Sequence, residues 1–213
     1  MRPAIAPVLA AVAVLAAPSA AQATATVLTD SPCYLTNRTV RLTGTGFAPS
    51  TQYTVSLDGA ALGPGMTSPD GAFEGKLGSG HLGHLRHQRH IVTVSDGTNM
   101  ASAPFEVSRF TASFDPAAGD PRSLLVRFSV YGFGLGAMVA PTVYLHYLSP
   151  SGRAGSTVRV GRTHGACGSL GRSRLHHLFP FHPRTGTWHL QFDTHSRYSA
   201  ASRPRVVRTV VVR

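Results

Sequence analysis

The sequence predicts an all-β protein, two tandem β-sandwich domains behind an N-terminal signal peptide. Three observations carry this. In Val40–Gly59, VRLTGTGFAPSTQYTVSLDG, two alternating runs flank a Gly-Phe-Ala-Pro-Ser loop: Val40 and Leu42 against Arg41 and Thr43, then Tyr53, Val55 and Leu57 against Thr54, Ser56 and Asp58. Period-2 alternation bounded by turn residues marks half-buried strands. The 22 glycines and 15 prolines suit a chain with many turns. No 3.6-residue period is sustained over three turns after residue 23.

Residues 1–23 read as a secretory leader. Arg2 supplies the positive start, Ala4–Ala17 is apolar apart from Pro7, and Ala21-Gln22-Ala23 is a small-residue cleavage site before Thr24. As a helix the apolar run reaches about 21 Å, short of the roughly 30 Å hydrocarbon core, so it is not read as a membrane span. The expectation is a secreted chain, extracellular or at the cell envelope. About 190 residues remain, room for two sandwich domains of near 100 residues each. The boundary is placed to give domains 24–108 and 109–213.

The first domain opens with a strand in Thr24–Asp30, closed by Ser31-Pro32-Cys33, and continues with the two runs above. Ser68-Pro69-Asp70-Gly71 is a turn, with a short strand from Phe73 to Leu77 behind it. Gly78–His90 reads as a connection rich in glycine and histidine. His90–Asp96 and Ala101–Ser108 then form a hairpin around Gly97-Thr98-Asn99. The second domain repeats the plan loosely. Leu124, Val126, Phe128 and Val130 share one face, Val143, Leu145 and Tyr147 follow, and Ser149-Pro150-Ser151-Gly152 turns into Thr157–Val160. Trp188, Leu190 and Phe192 face inward from Thr187–Asp193, and Val206–Val212 is the last strand.

The pattern V-x-L-x-G-T-G-F-A-P-x-T-x-Y-T-V-S-L-D-G (Val40–Gly59), followed by H-x-V-T-V-S-D-G-x-x-x-A-S-A-x-F-x-V (His90–Val107), resembles the immunoglobulin-like domains of bacterial secreted and cell-surface proteins. The likeness covers nearly all of the first domain and places the second by analogy. It implies two tandem immunoglobulin-like sandwiches and an extracellular location. The G-T-G-F-A-P loop and T-Y-T-V strand are also similar to the neocarzinostatin-type chromoprotein carriers. That similarity implies a second possibility, a small-ligand carrier with a cleft lined by residues such as Phe47, Tyr53 and Phe73.

Charge is divided unevenly. Thr24–Ser108 carries a net charge of −1, whereas Arg109–Arg213 holds 14 arginines against Asp115, Asp120 and Asp193. Such asymmetry points to an anionic partner, an envelope polymer or an acidic surface protein. The least sandwich-like stretch, Gly161–Pro183, holds Arg162, Arg172 and Arg174 among histidines and then Leu178, Phe179 and Phe181. Here the aromatics are expected to plug the open end of the sandwich. Arg159, Arg162, Arg172, Arg174 and Arg184 are the candidate polyanion-binding residues. No nucleic-acid-binding motif accompanies them.

Catalytic motifs are missing. Asp58, Asp70 and Asp96 precede glycine, Asp115 and Asp120 precede proline, and these five read as turn formers; Asp30, Glu74, Glu106 and Asp193 are scattered and read as unpaired. Neither G-x-S-x-G nor H-E-x-x-H occurs. The expectation is a non-enzymatic structural or interaction module without cofactor or metal; an enzyme would need a buried histidine beside a serine or aspartate. His81, His84, His87 and His90 recur every third residue, and with glycines between them they read as a solvated loop. Cys33 and Cys167 are the two cysteines. In an oxidising compartment they are expected to bridge, tying one half to the other. Two buried thiols, or pairing with another chain, are the alternatives.

Overall fold

The computed structural model describes residues 24–78, 82, 85–134 and 140–213. The signal-peptide reading of 1–23 lies outside them, as do His81 and His84 of the histidine loop. The described residues form strands and turns without helix, so no helix among them is long and apolar enough to cross a membrane.

Up to Ser108 the strands are β1 (Thr26–Thr29), β2 (Cys33–Leu35), β3 (Val40–Thr45), β4 (Gln52–Leu57), β5 (Ala60–Met66), β6 (Phe73–Leu77), β7 (His87–Ser95) and β8 (Met100–Ser108). They build a three-stranded sheet β1-β3-β6 and a five-stranded sheet β2-β8-β7-β4-β5. Beyond it come β9 (Thr111–Asp115), β10 (Leu125–Tyr131), β11 (Thr142–Leu148), β12 (Ala154–Arg162), β13 (Leu175–His177), β14 (Gly186–Asp193) and β15 (Arg205–Val212). These form β13-β10-β9 and β12-β11-β14-β15. All pairings are antiparallel except β2 with β8.

Alternation along each strand decides what goes inside. Val40 and Leu42 of β3, Tyr53 and Leu57 of β4, Phe73 and Leu77 of β6, and Val92 and Val94 of β7 are buried together. Val126, Phe128 and Val130 of β10 meet Val143, Leu145 and Tyr147 of β11 and Trp188, Leu190 and Phe192 of β14 in a second cluster. Each core is thus a layer between two sheets, the sandwich arrangement the alternation predicts. Leu178 and Phe179 are buried in the second core, Phe179 against Tyr147 and Trp188, and partly buried Phe181 packs beside them.

Four strands depart from the sequence reading. β2 begins at Cys33, where a closing bend was expected. β5 contains Gly63-Pro64-Gly65, turn-like in composition, yet it lies at a sheet edge, where a proline withholds no needed ladder bond. β9 and β13 are short edge strands of one sheet, formed from residues that had no assignment or read as loop. The histidine-rich connection also ends earlier than expected, since β7 starts at His87.

The two halves meet through a bridge and a carboxylate. Cys33 and Cys167 form a disulfide with their Cα atoms 5.1 Å apart. Glu106, opposite Cys33 in the β2–β8 register, accepts from the Cys167 backbone N–H at 2.9 Å, and its other neighbour is His87 Nε2 at 3.1 Å. Glycine is required in the turn that receives it. Gly165, at φ +72°, lies against both Glu106 oxygens, and a Cβ there would stand 2.9 Å from each. Gly168, at φ +62°, passes directly against the Gly134 backbone, and Gly134 N–H donates to Cys167 O at 2.9 Å. Arg86 adds a bond from Nη1 to Ser113 Oγ at 3.3 Å.

Candidate functional site

Edge strand β12 and the segment entering edge strand β13 lie side by side, and the groove between them holds about 470 Å³. Arg159 projects from β12; Arg172, Arg174 and His176 come from the opposite wall; Val160 and Leu170 add apolar surface. The opposite wall is fixed to β10. Leu170 exchanges backbone bonds with Val130 at 2.8 and 2.9 Å, Ser173 N–H donates to Phe128 O, and Ser129 Oγ donates to Gly171 O. Buried Ser173 reinforces this: its hydroxyl accepts from Phe128 N–H at 2.9 Å and donates to Arg174 O. No carboxylate lines the groove. Among the described residues every close cation–carboxylate contact comes from a histidine, so none of these guanidiniums is neutralised by an acid. Three exposed arginines on a fixed frame make a positive, partly apolar channel.

Of the five arginines singled out in the sequence, Arg159, Arg172 and Arg174 come together here. Arg162, at the end of β12, turns away to donate from Nε to Ala140 O at 3.2 Å. Arg184 lines a different cleft, with Arg153, His182, Phe181 and Trp188. His176 belongs to the groove without having been singled out; its place follows from the β10–β13 register, Val126 opposite His176, which spacing does not reveal.

The residues named for a ligand cleft do something else. Phe47, Tyr53 and Phe73 are buried and packed ring on ring, with centroids 5.6 Å apart for Phe47–Phe73 and 4.7 Å for Tyr53–Phe73. Their side chains fill the first core, so the space between them is occupied by themselves.

Five acids read as unpaired or as simple turn formers have wider contacts: Asp30 with Tyr34 and Arg41, Asp58 with His90 and Ile91, and three more. Asp193 is wholly buried and faces wholly buried His146 on the neighbouring strand, with 3.2 Å from Nε2 to Oδ1. His146 Nε2 also points at His195 O, 3.1 Å away, and since a carbonyl only accepts, Nε2 carries the proton. Nδ1 lies 2.8 Å from Thr157 Oγ. Gln191 Nε2 donates to Asp193 Oδ2 and to Ser199 O. The dyad satisfies the geometric condition set for catalysis, but both members are at 0% exposure. Its bonds run instead into the 194–204 connection, which it holds against the sheet. Glu106 is the second of these three, half-buried at the junction described above. Asp96 is the third: beyond its own turn it accepts from Ala48 N–H at 2.7 Å, and that bond first, then those from Asn99, holds its carboxyl well below the usual range. Tyr34 is pushed up to about 12, by burial first and by its 2.6 Å bond to Asp30 second.

His87 and His90 stand on opposite faces of β7. His87 meets Glu106, while His90 is buried, stacks on Phe105 and bonds Asp58 Oδ2 at 2.7 Å. Among the described residues no three His, Cys, Asp or Glu side chains come together as a metal site would require.

No family model matches the chain, and no curated protein does. Among solved structures it is similar to a Ca²⁺-stabilised adhesin with which an Antarctic bacterium binds ice (16% identity, TM-score 0.32). It is similar also to a 1.5-MDa bacterial ice-binding adhesin (14%, TM-score 0.31) and to trypsin-activated α2-macroglobulin from Escherichia coli (16%, TM-score 0.34). These matches cover 90%, 87% and 89% of this chain, which in turn spans 48%, 62% and 15% of theirs.

Proposed function

We propose that the protein is an exported, non-catalytic interaction module whose arginine groove holds an anionic polymer of the cell envelope. The convergence of Arg159, Arg172 and Arg174 on one groove without a carboxylate supports this reading. A linear polyanion lies along such a channel, displaces counterions and meets the apolar floor with its backbone. The module comprises two units, 24–108 and 109–213, the first presenting the second. Separate hydrophobic clusters for each half support that division.

The full exported chain, whose intact mass should begin at Thr24, is titrated with soluble poly(glycerol phosphate) at rising salt. Binding should weaken with salt, and the variant Arg159→Gln/Arg172→Gln/Arg174→Gln should lose on the order of 10-fold in affinity. Arg184→Gln should bind as the native chain does. Salt-independent binding, or equal losses from both variants, refutes the groove.

A further inference from the structure

The connection between β14 and β15, residues 194–204, folds back over the outer face of its sheet and is gripped from below by Asp193, Gln191 and His146. Its outer side forms a second cleft of about 680 Å³ lined by His195, Ser196, Arg197, Ser199, Ser202 and Arg203 among others. Ser202 is only 6% exposed, yet its hydroxyl finds no hydrogen-bond partner. That oxygen is shut off from solvent, so the groups that can meet a ligand are the guanidiniums, the imidazole and the exposed hydroxyls of Ser196 and Ser199. Arg203 is fixed beside it by an Nη1 bond to Ser202 O at 2.8 Å. The lining holds two guanidiniums, an imidazole and several hydroxyls, and no acid. The nearest carboxylate, Asp193, has both oxygens engaged, by His146, the His195 backbone N–H and Gln191.

We propose that this cleft is a binding site for a tetrahedral oxyanion, a phosphate or sulfate group, either free or esterified to a sugar. Guanidinium forks and hydroxyl donors match an oxyanion with several acceptor oxygens. A metal cation finds no anionic ligand there, and an apolar ligand would strand the hydroxyls. The scaffold is rigid where it matters, because the loop backbone at His195 and Ser199 is bonded to buried side chains of β11 and β14. The site is built from residues separate from those of the arginine groove.

The test is calorimetric titration of the full exported chain at low ionic strength with inorganic phosphate, inorganic sulfate and glucose 6-phosphate. Saturable binding of one equivalent is expected. Arg203→Gln should weaken it about 10-fold, the effect of one bond to a charged group. Arg197→Gln, a change at an exposed side chain, should weaken it with the melting temperature unchanged, which guards against a folding artefact. The groove triple variant should bind phosphate as before, so failure of the polymer reading and failure of this one are separate results. Tighter binding of glucose 6-phosphate than of phosphate assigns the site to esters, and the reverse assigns it to the free ion. No saturable binding by the native chain, unchanged affinity in both loop variants, or loss of phosphate binding in the groove variant overturns the proposal.

Discussion

At the scale of single residues, the acids divide by what they hold. Asp193 anchors a loop from inside the protein, so Asp193→Ala leaves Gln191 Nε2 with Ser199 O alone, strands the His195 backbone N–H and removes one of the two acceptors of His146. Each buried donor left without its acceptor costs about 1–3 kcal/mol, and chemical denaturation should show a loss of at least that order, against under about 0.5 kcal/mol for exposed Glu74→Ala. Asp96 acts through charge on a backbone donor. Its folded carboxyl sits below the ordinary value, so its contribution is complete above the unfolded pKa near 3.9 and fades as pH falls from there toward the lower folded value. Melting curves of the native chain and of Asp96→Ala should therefore differ at pH 7 and converge in strong acid. A gap independent of pH would refute the role of the charge.

At the scale of elements, position in the sheet ranks the strands. β14 lies between β11 and β15, and its Leu190 is wholly buried; Leu190→Ala should cost about 3 kcal/mol. β5 is an edge with partly buried Leu62, and Leu62→Ala should cost about 1 kcal/mol. Hydrogen exchange should be slowest in β14 and fast along β5. Strands such as β3, β4, β10 and β14 were legible in the sequence because one face is buried and the other wet, and that contrast writes itself as alternation. β5 and β13 were not, since an edge strand needs little apolar content and accepts glycine and proline. The contact of His146 with Asp193 was illegible for a different reason. Both lie on the outer face, which alternation assigns to water, and only the folded-back loop makes that face an interior. The arginine groove was half legible: the charge was plain, but which edges adjoin is a matter of tertiary order.

At the scale of the molecule, the bridge between Cys33 and Cys167 was expected from compartment and is present in the fold. Closing a loop with 134 residues of separation removes denatured-state entropy worth about 5 kcal/mol in the chain-entropy model. Cys33→Ser/Cys167→Ser should lower stability by up to that amount. Small-angle scattering should show whether the variant also gains spread between its halves, with an unchanged profile counting against the bridge as what fixes their angle. The bridge has a mechanical consequence too. Tension applied on either side of it passes from Cys33 straight to Cys167 through sulfur, and every strand from β3 to β12 lies in the bypassed loop. Under pull the oxidised protein withholds roughly 450 Å of contour, at about 3.4 Å per residue, that a reductant would release. Single-molecule stretching should record that length as the difference between the oxidised and reduced chains.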